Sequence, residues 1–155
     1  MAKKLALIAS KGTLDWAYPP FILASTAAAL DYEVCIFFTF YGLTLLKKDV
    51  SDLKVSPLGN PAMPMPVPMP NLAQMLPGME SMATMMMKQK IEDKGVASIE
   101  DLRGACLESG VKLIACQMTV DLFDFKRSDF IEGIEFGGAA TFFEFAGNSD
   151  VSLFI

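Results

Sequence analysis

The sequence predicts a three-layer α/β fold built on a parallel, doubly wound sheet of about five strands. Three observations carry this. Short β-branched or aromatic runs alternate along the chain with segments of helical length and composition. One run, Val34-Cys35-Ile36-Phe37-Phe38-Thr39-Phe40, is apolar throughout, as a strand buried on both faces requires. Glycines follow several runs, where a strand must turn into its crossover.

The elements follow in chain order. Residues 3–10 give a first strand, closed by the loop Ser10-Lys11-Gly12-Thr13-Leu14-Asp15. Trp16 to Leu30 is rich in Ala and Leu and predicts a helix, with Pro19 and Pro20 in its first turn, where a missing amide proton costs least. Asp31 and Tyr32 end it, and Glu33 to Phe40 is the second strand. Gly42 breaks that strand, and a short helix is expected over 43–48.

The middle is compositionally different. Six of the nine prolines lie between Ser56 and Pro70, so neither a helix nor a central strand can form there. An extended polyproline-like loop is expected, then a methionine-rich stretch from Asn71 to Lys90 that is helical after Gly78. We read 56–90 as an insertion within one domain spanning 1–155.

Ser98 and Asp101 have the spacing of a capping box. Ile99, Leu102 and Cys106 then share one helical face, and Gly110 suits the residue just past the helix. Residues 111–115 give a third strand. Thr119 or a neighbour would cap a short helix running to about Phe125. A strand near Ile134-Glu135-Phe136 leads through Gly137-Gly138 into a helix over 139–146, and 151–155 is the last strand.

Composition narrows the chemistry. The chain has 155 residues, 52% of them hydrophobic, and a net charge of −5. That charge speaks against nucleic acid, which needs a clustered positive field. The apolar excess suggests extra buried surface, through oligomerisation or a covered apolar segment. No stretch reaches the roughly 18 apolar residues of a membrane-spanning helix. Three widely spaced cysteines do not form a disulfide framework, which favours a reducing cytoplasmic setting. With no histidine in the chain, Ser-His and Cys-His nucleophile pairs are impossible. No metal-type cysteine pairing and no phosphate-binding glycine motif occurs, so no cofactor is expected.

Ligands of open α/β sheets bind beyond the C-terminal ends of the strands. Four loops occupy that edge: 11–15, 41–42, 116–119 and 137–138. Only Cys116 is a strong nucleophile there. A strand end that opens a helix favours the reactive thiolate, although a free cysteine also packs well in a core. Cys35 and Cys106 read as core. Lys11 is the nearest candidate cation, able to lower the thiol pKa or hold an anionic substrate. The nine methionines from Met63 to Met87 suit an adaptable docking arm better than a copper site.

The stretch Val111-Lys112-Leu113-Ile114-Ala115-Cys116-Gln117-Met118-Thr119 resembles the cysteine signature of the DsrE/DsrF-like sulfur-relay proteins. Ser10-Lys11-Gly12-Thr13-Leu14-Asp15, Ala17-Tyr18-Pro19-Pro20, Phe37-Phe38-Thr39-Phe40-Tyr41-Gly42 and Glu135-Phe136-Gly137-Gly138 are similar to its peroxiredoxin-like subgroup. The resemblance implies a homo-oligomer (trimer, tetramer or hexamer) in the cytoplasm that moves sulfane sulfur. Its partners would be sulfur-carrier proteins such as TusA-like or rhodanese-like ones. Cys116 is the matching active position, and Lys11, Gly12, Tyr41 and Thr119 are the expected substrate-binding residues. A peroxide-reactive thiol protein and a non-enzymatic assembly module, docking a membrane or a complex through the methionine-rich arm, are the alternatives.

Overall fold

The computed structural model describes residues 1–56, 72 and 75–155. The polyproline-like loop expected beyond Ser56 lies outside them. Five parallel strands form one sheet: β1 (Lys4–Ala9), β2 (Glu33–Phe38), β3 (Lys112–Cys116), β4 (Glu135–Gly137) and β5 (Val151–Phe154). Their spatial order is β4-β3-β2-β1-β5. The chain therefore walks from β1 to β4 toward one edge and returns to place β5 on the far side of β1. The reversal puts helices on both faces, because parallel crossovers keep one hand.

Strand alternation splits the core in two. Leu5, Leu7, Ala9, Val34, Ile36, Phe38, Leu113 and Ala115 face α1 (Leu14–Ala29) and α3 (Ile99–Glu108). Ala6, Cys35, Phe37, Ile114 and Cys116 face the opposite way, toward α5 (Ala139–Ala146), whose Phe142 is buried against them. α2 (Met79–Asp93) joins the first face through Ala83, Met87 and Ile91. Its Met82, Met85 and Met86 are exposed.

The helix ends follow their residues. At α3, the Ser98 side chain accepts from the Asp101 amide while Asp101 accepts from the Ser98 amide, a complete capping box. At its other end Val111 N donates to Cys106 O and Gly110 N to Leu107 O, with Gly110 at φ 77°. This is the Schellman pattern, which needs a residue tolerant of left-handed backbone.

Two expectations are corrected. α1 begins at Leu14, so Pro19 and Pro20 lie beyond its first turn. Each removes an internal hydrogen bond, at a cost of about 3 kcal/mol in a helix interior. Burial of Ala17, Pro20, Phe21, Ala24 and Ala27 holds the helix through that defect. The cap of α4 (Gln117–Leu122) is Cys116 and not Thr119. Thr119 sits inside the helix, with its hydroxyl engaged elsewhere.

Candidate functional site

Register sets the level of the site. Ala9, Phe38, Ala115 and Phe136 are aligned across four strands, and Cys116 pairs with Gly137. The next residues, Ser10, Thr39, Cys116 and Gly137, therefore form the C-terminal rim, where ligands of such sheets bind.

On the β1–β2 side the rim is backbone packed on backbone. A Cβ on Gly42 would overlap the carbonyl oxygen of Ala9, and one on Gly12 would overlap Tyr41 O and Thr44 Oγ1. Thr44 Oγ1 donates to Tyr41 O at 2.8 Å and lies 3.4 Å from Gly12 O. Lys11, Gly12, Thr13, Trp16, Tyr41, Thr44 and Ser56 line a groove of about 350 Å³ beside this contact. The Lys11 ammonium lies 3.4 Å from the centroid of the Trp16 ring, a cation–π contact. Lys11, Gly12 and Tyr41 are thus brought together.

Thr119 is not in that groove. It is fully buried, and its Oγ1 accepts from Phe40 N at 3.2 Å and lies 3.4 Å from Thr39 Oγ1. Phe40 has φ 47°, a conformation costly for a bulky residue. Thr119 therefore ties α4 to the strained turn after β2, and Phe123 reinforces the tie by stacking on Tyr41 at 6.0 Å.

Cys116 ends β3 in extended backbone and opens α4, its side chain making no capping hydrogen bond. It is 4% exposed and packs beneath α5 with Ile114 and Phe142. The other cysteines are out of its reach. Cys35 shares the face but is in register with Lys112, four residues before Cys116. That offset is about 13 Å along the strand, well beyond disulfide range. Cys106 lies on the opposite face, its Sγ 3.6 Å from Phe21 O.

Burial pushes the Cys35 thiol up to about 12, with Lys112 lowering it and Glu135 raising it by smaller amounts. Burial alone pushes Cys106 up to about 11. Both folded values exceed the ordinary thiol value of 9.0, so the folded state holds protons that the unfolded state releases first. Their stabilisation is complete below about pH 9 and is lost as pH rises toward these raised values, with a slope of up to about 1.4 kcal/mol per pH unit per thiol. Urea midpoints measured from pH 8 to 10.5 should fall more steeply for the wild type than for a Cys35→Ala, Cys106→Ala variant. Parallel slopes would refute the assignment.

One residue in contact with Gln117, the neighbour of Cys116 in sequence, carried no sequence signal. After α4 the chain turns at Asp124 (φ 53°), and Arg127 comes back against α4 and over Phe136, on the α1/α3 face of the sheet. Its Nη2 lies 3.4 Å from Gln117 Oε1, and its guanidinium stands over Phe136 at 4.6 Å. No motif marks it; only the tight reversal after a six-residue helix brings it there.

The parallel sheet and its order define an open α/β domain, with Cys116 alone of the three cysteines at its C-terminal rim. The chain belongs to the DsrE/DsrF/DrsH-like family, whose model matches residues 1–154. It is 67% identical to "Sulfur carrier protein DsrE2" of Allochromatium vinosum, over 99% of this chain and 98% of that protein. It is 31% identical to "Uncharacterized protein YrkE" of Bacillus subtilis, over 99% and 97%. The crystal structure of the Escherichia coli ychN protein superposes with a TM-score of 0.55 over 99% of each chain; at 11% identity this likeness concerns the fold.

Proposed function

We propose that this chain is a sulfur carrier and that Cys116 is the carrier thiol. The relative of 67% identity is named as a sulfur carrier. The observation that selects Cys116 is positional: of three cysteines, it alone stands at the C-terminal rim. With thiosulfate, the thiolate attacks the sulfane sulfur, an S–S bond forms and sulfite leaves, giving a persulfide. With tetrathionate, attack on an inner sulfur displaces thiosulfate and leaves a thiosulfonate. A partner thiolate then attacks the sulfane sulfur bonded to Cys116 Sγ and the Cys116 thiolate leaves; the partner carries the sulfur away as a persulfide or, from the thiosulfonate, with its sulfonate still attached. Such exchange needs an accessible thiolate and a docking surface, but no histidine and no external oxidant.

Cys116 is 4% exposed in the single chain, so exchange requires its surroundings under α5 to open to donor and partner. Thr119 serves by fixing the Thr39–Phe40 turn beside the thiol, and the groove of Lys11, Gly12 and Tyr41 is the adjoining contact surface. The exposed Met82, Met85 and Met86 of α2 suit docking of a sulfur-relay partner, since methionine adapts to varied surfaces. The chain acts as one domain over 1–155, as a homo-oligomer in the cytoplasm. Among the described residues no helix is long and apolar enough to cross a membrane.

Intact-protein mass spectrometry after exposure to thiosulfate, tetrathionate or polysulfide tests this. A reducible adduct of one equivalent that peptide mapping assigns to Cys116 is expected. No adduct from any donor, or an adduct on Cys35 or Cys106, would overturn it.

A further inference from the structure

Thr141, in the first turn of α5, stands beside Cys116 on the same face of the sheet. Phe136 packs against the core under α1 and α3, so the next residue, Gly137, is directed to the α5 face, as Cys116 is. A Cβ built on Gly137 would lie 2.7 Å from Thr141 Oγ1, 2.9 Å from its Cβ and 3.0 Å from its Cγ2. The Thr141 side chain therefore fills the place of the side chain that Gly137 lacks. Gly137 is the cross-strand partner of Cys116, and neighbouring strands lie about 4.8 Å apart. Hydroxyl and thiol are thus neighbours, about one strand spacing apart.

The Thr141 hydroxyl is also free to bind. Thr39, the rim residue aligned with Cys116 on the β2 side, has its Oγ1 3.4 Å from Thr119 Oγ1. Ser10 donates to Ile155 O, and Ser149 donates to Phe145 O. Among the described residues Thr141 Oγ1 has no such partner, and it makes no hydrogen bond with Cys116 Sγ. A persulfide lengthens the thiol by one S–S bond, about 2 Å, which spans much of the space between the two side chains.

We infer that Thr141 binds the carried sulfur, its hydroxyl donating a hydrogen bond to the outer, negatively charged sulfur of the Cys116 persulfide. The inference rests on Cys116 being the carrier thiol. The bond exists only in the loaded state, so it favours the persulfide over the free thiol. No bond made or broken in the exchange involves Thr141. Glycine at 137 serves the same end, since a side chain there would take the room that Thr141 occupies.

An exchange equilibrium isolates this property. The full-length protein is equilibrated with glutathione and glutathione persulfide at one fixed pH, and the fraction of Cys116 carrying the extra sulfur is read by intact mass and peptide mapping. Thr141→Val keeps the shape over Gly137 and removes the hydroxyl. It should lower the exchange constant about tenfold, the loss of one hydrogen bond to a charged group. Thr141→Ser should restore the constant to within about twofold of the wild type. Alkylation of the unloaded Cys116 by iodoacetamide should stay within about twofold in both variants, because the hydroxyl does not touch the free thiol. An unchanged constant in Thr141→Val, or a serine variant no better than valine, would overturn the assignment while leaving Cys116 as carrier. A fall in the constant matched by an equal change in alkylation rate would mark a packing effect and overturn it as well. A wild type that takes no sulfur on Cys116 would overturn the carrier reading and this inference with it.

Discussion

Cys116→Ser is expected to abolish sulfur uptake, with adduct formation falling by roughly 100-fold or more, because a serine hydroxyl is not ionised near neutral pH and forms no persulfide. Cys35→Ala and Cys106→Ala should keep the full adduct. Both wild-type thiols are buried away from the rim, one of them on the other face of the sheet. Removing either costs stability of about 1–2 kcal/mol through lost packing, and nothing at the reacting centre. The three variants, compared by intact mass after tetrathionate treatment, separate a carrier from a generally oxidisable protein. Retention of the adduct in Cys116→Ser would end the mechanism. The same geometry bears on peroxide chemistry. With Cys35 about 13 Å away along the sheet, no second thiol of the same chain resolves a sulfenic acid at Cys116 by disulfide formation.

Local signals were the legible ones. The capping box at Ser98, the left-handed Gly110 and the helix after Gly137-Gly138 are each set by a few adjacent residues, and each is found where the pattern puts it. The apolar run of β2 identified a strand covered on both faces. Where tertiary packing competes with local preference, the sequence misled. Pro19 and Pro20 argue for a helix that starts just before them, yet burial of Leu14, Ala17 and Phe21 extends it upstream. Thr119 has the chemistry of a cap, but Phe40 N, distant in sequence, claims its hydroxyl. Arg127 was illegible because its place depends on the chain reversing at Asp124 and on the partner strand carrying Phe136. At the rim, residue identity marked the thiol, and only the fold shows what packs around it.

Gly42→Ala should be among the most damaging single substitutions in the molecule, destabilising by about 3–4 kcal/mol and lowering Tm by roughly 10 °C. The reason is steric. The added Cβ meets the Ala9 carbonyl oxygen and carbon, which are backbone atoms at the end of the interior strand β1 and cannot swing aside as a side chain would. Ala9 O also accepts from Thr39 N at 3.1 Å, so moving it breaks the contact that aligns the β1 and β2 ends of the rim. The loop bearing Tyr41 would be displaced, and the groove beside Lys11 would open. Gly104→Ala is the matched control. Gly104 lies inside α3, and beyond its chain neighbours and the helix's own backbone no atom comes within 4 Å of where a Cβ would stand. Alanine there should stabilise by about 0.5–1 kcal/mol through helix propensity alone. Thermal and urea unfolding of the two variants should therefore move in opposite directions. If Gly42→Ala melted within a degree of the wild type, the backbone-on-backbone account of the rim would be wrong.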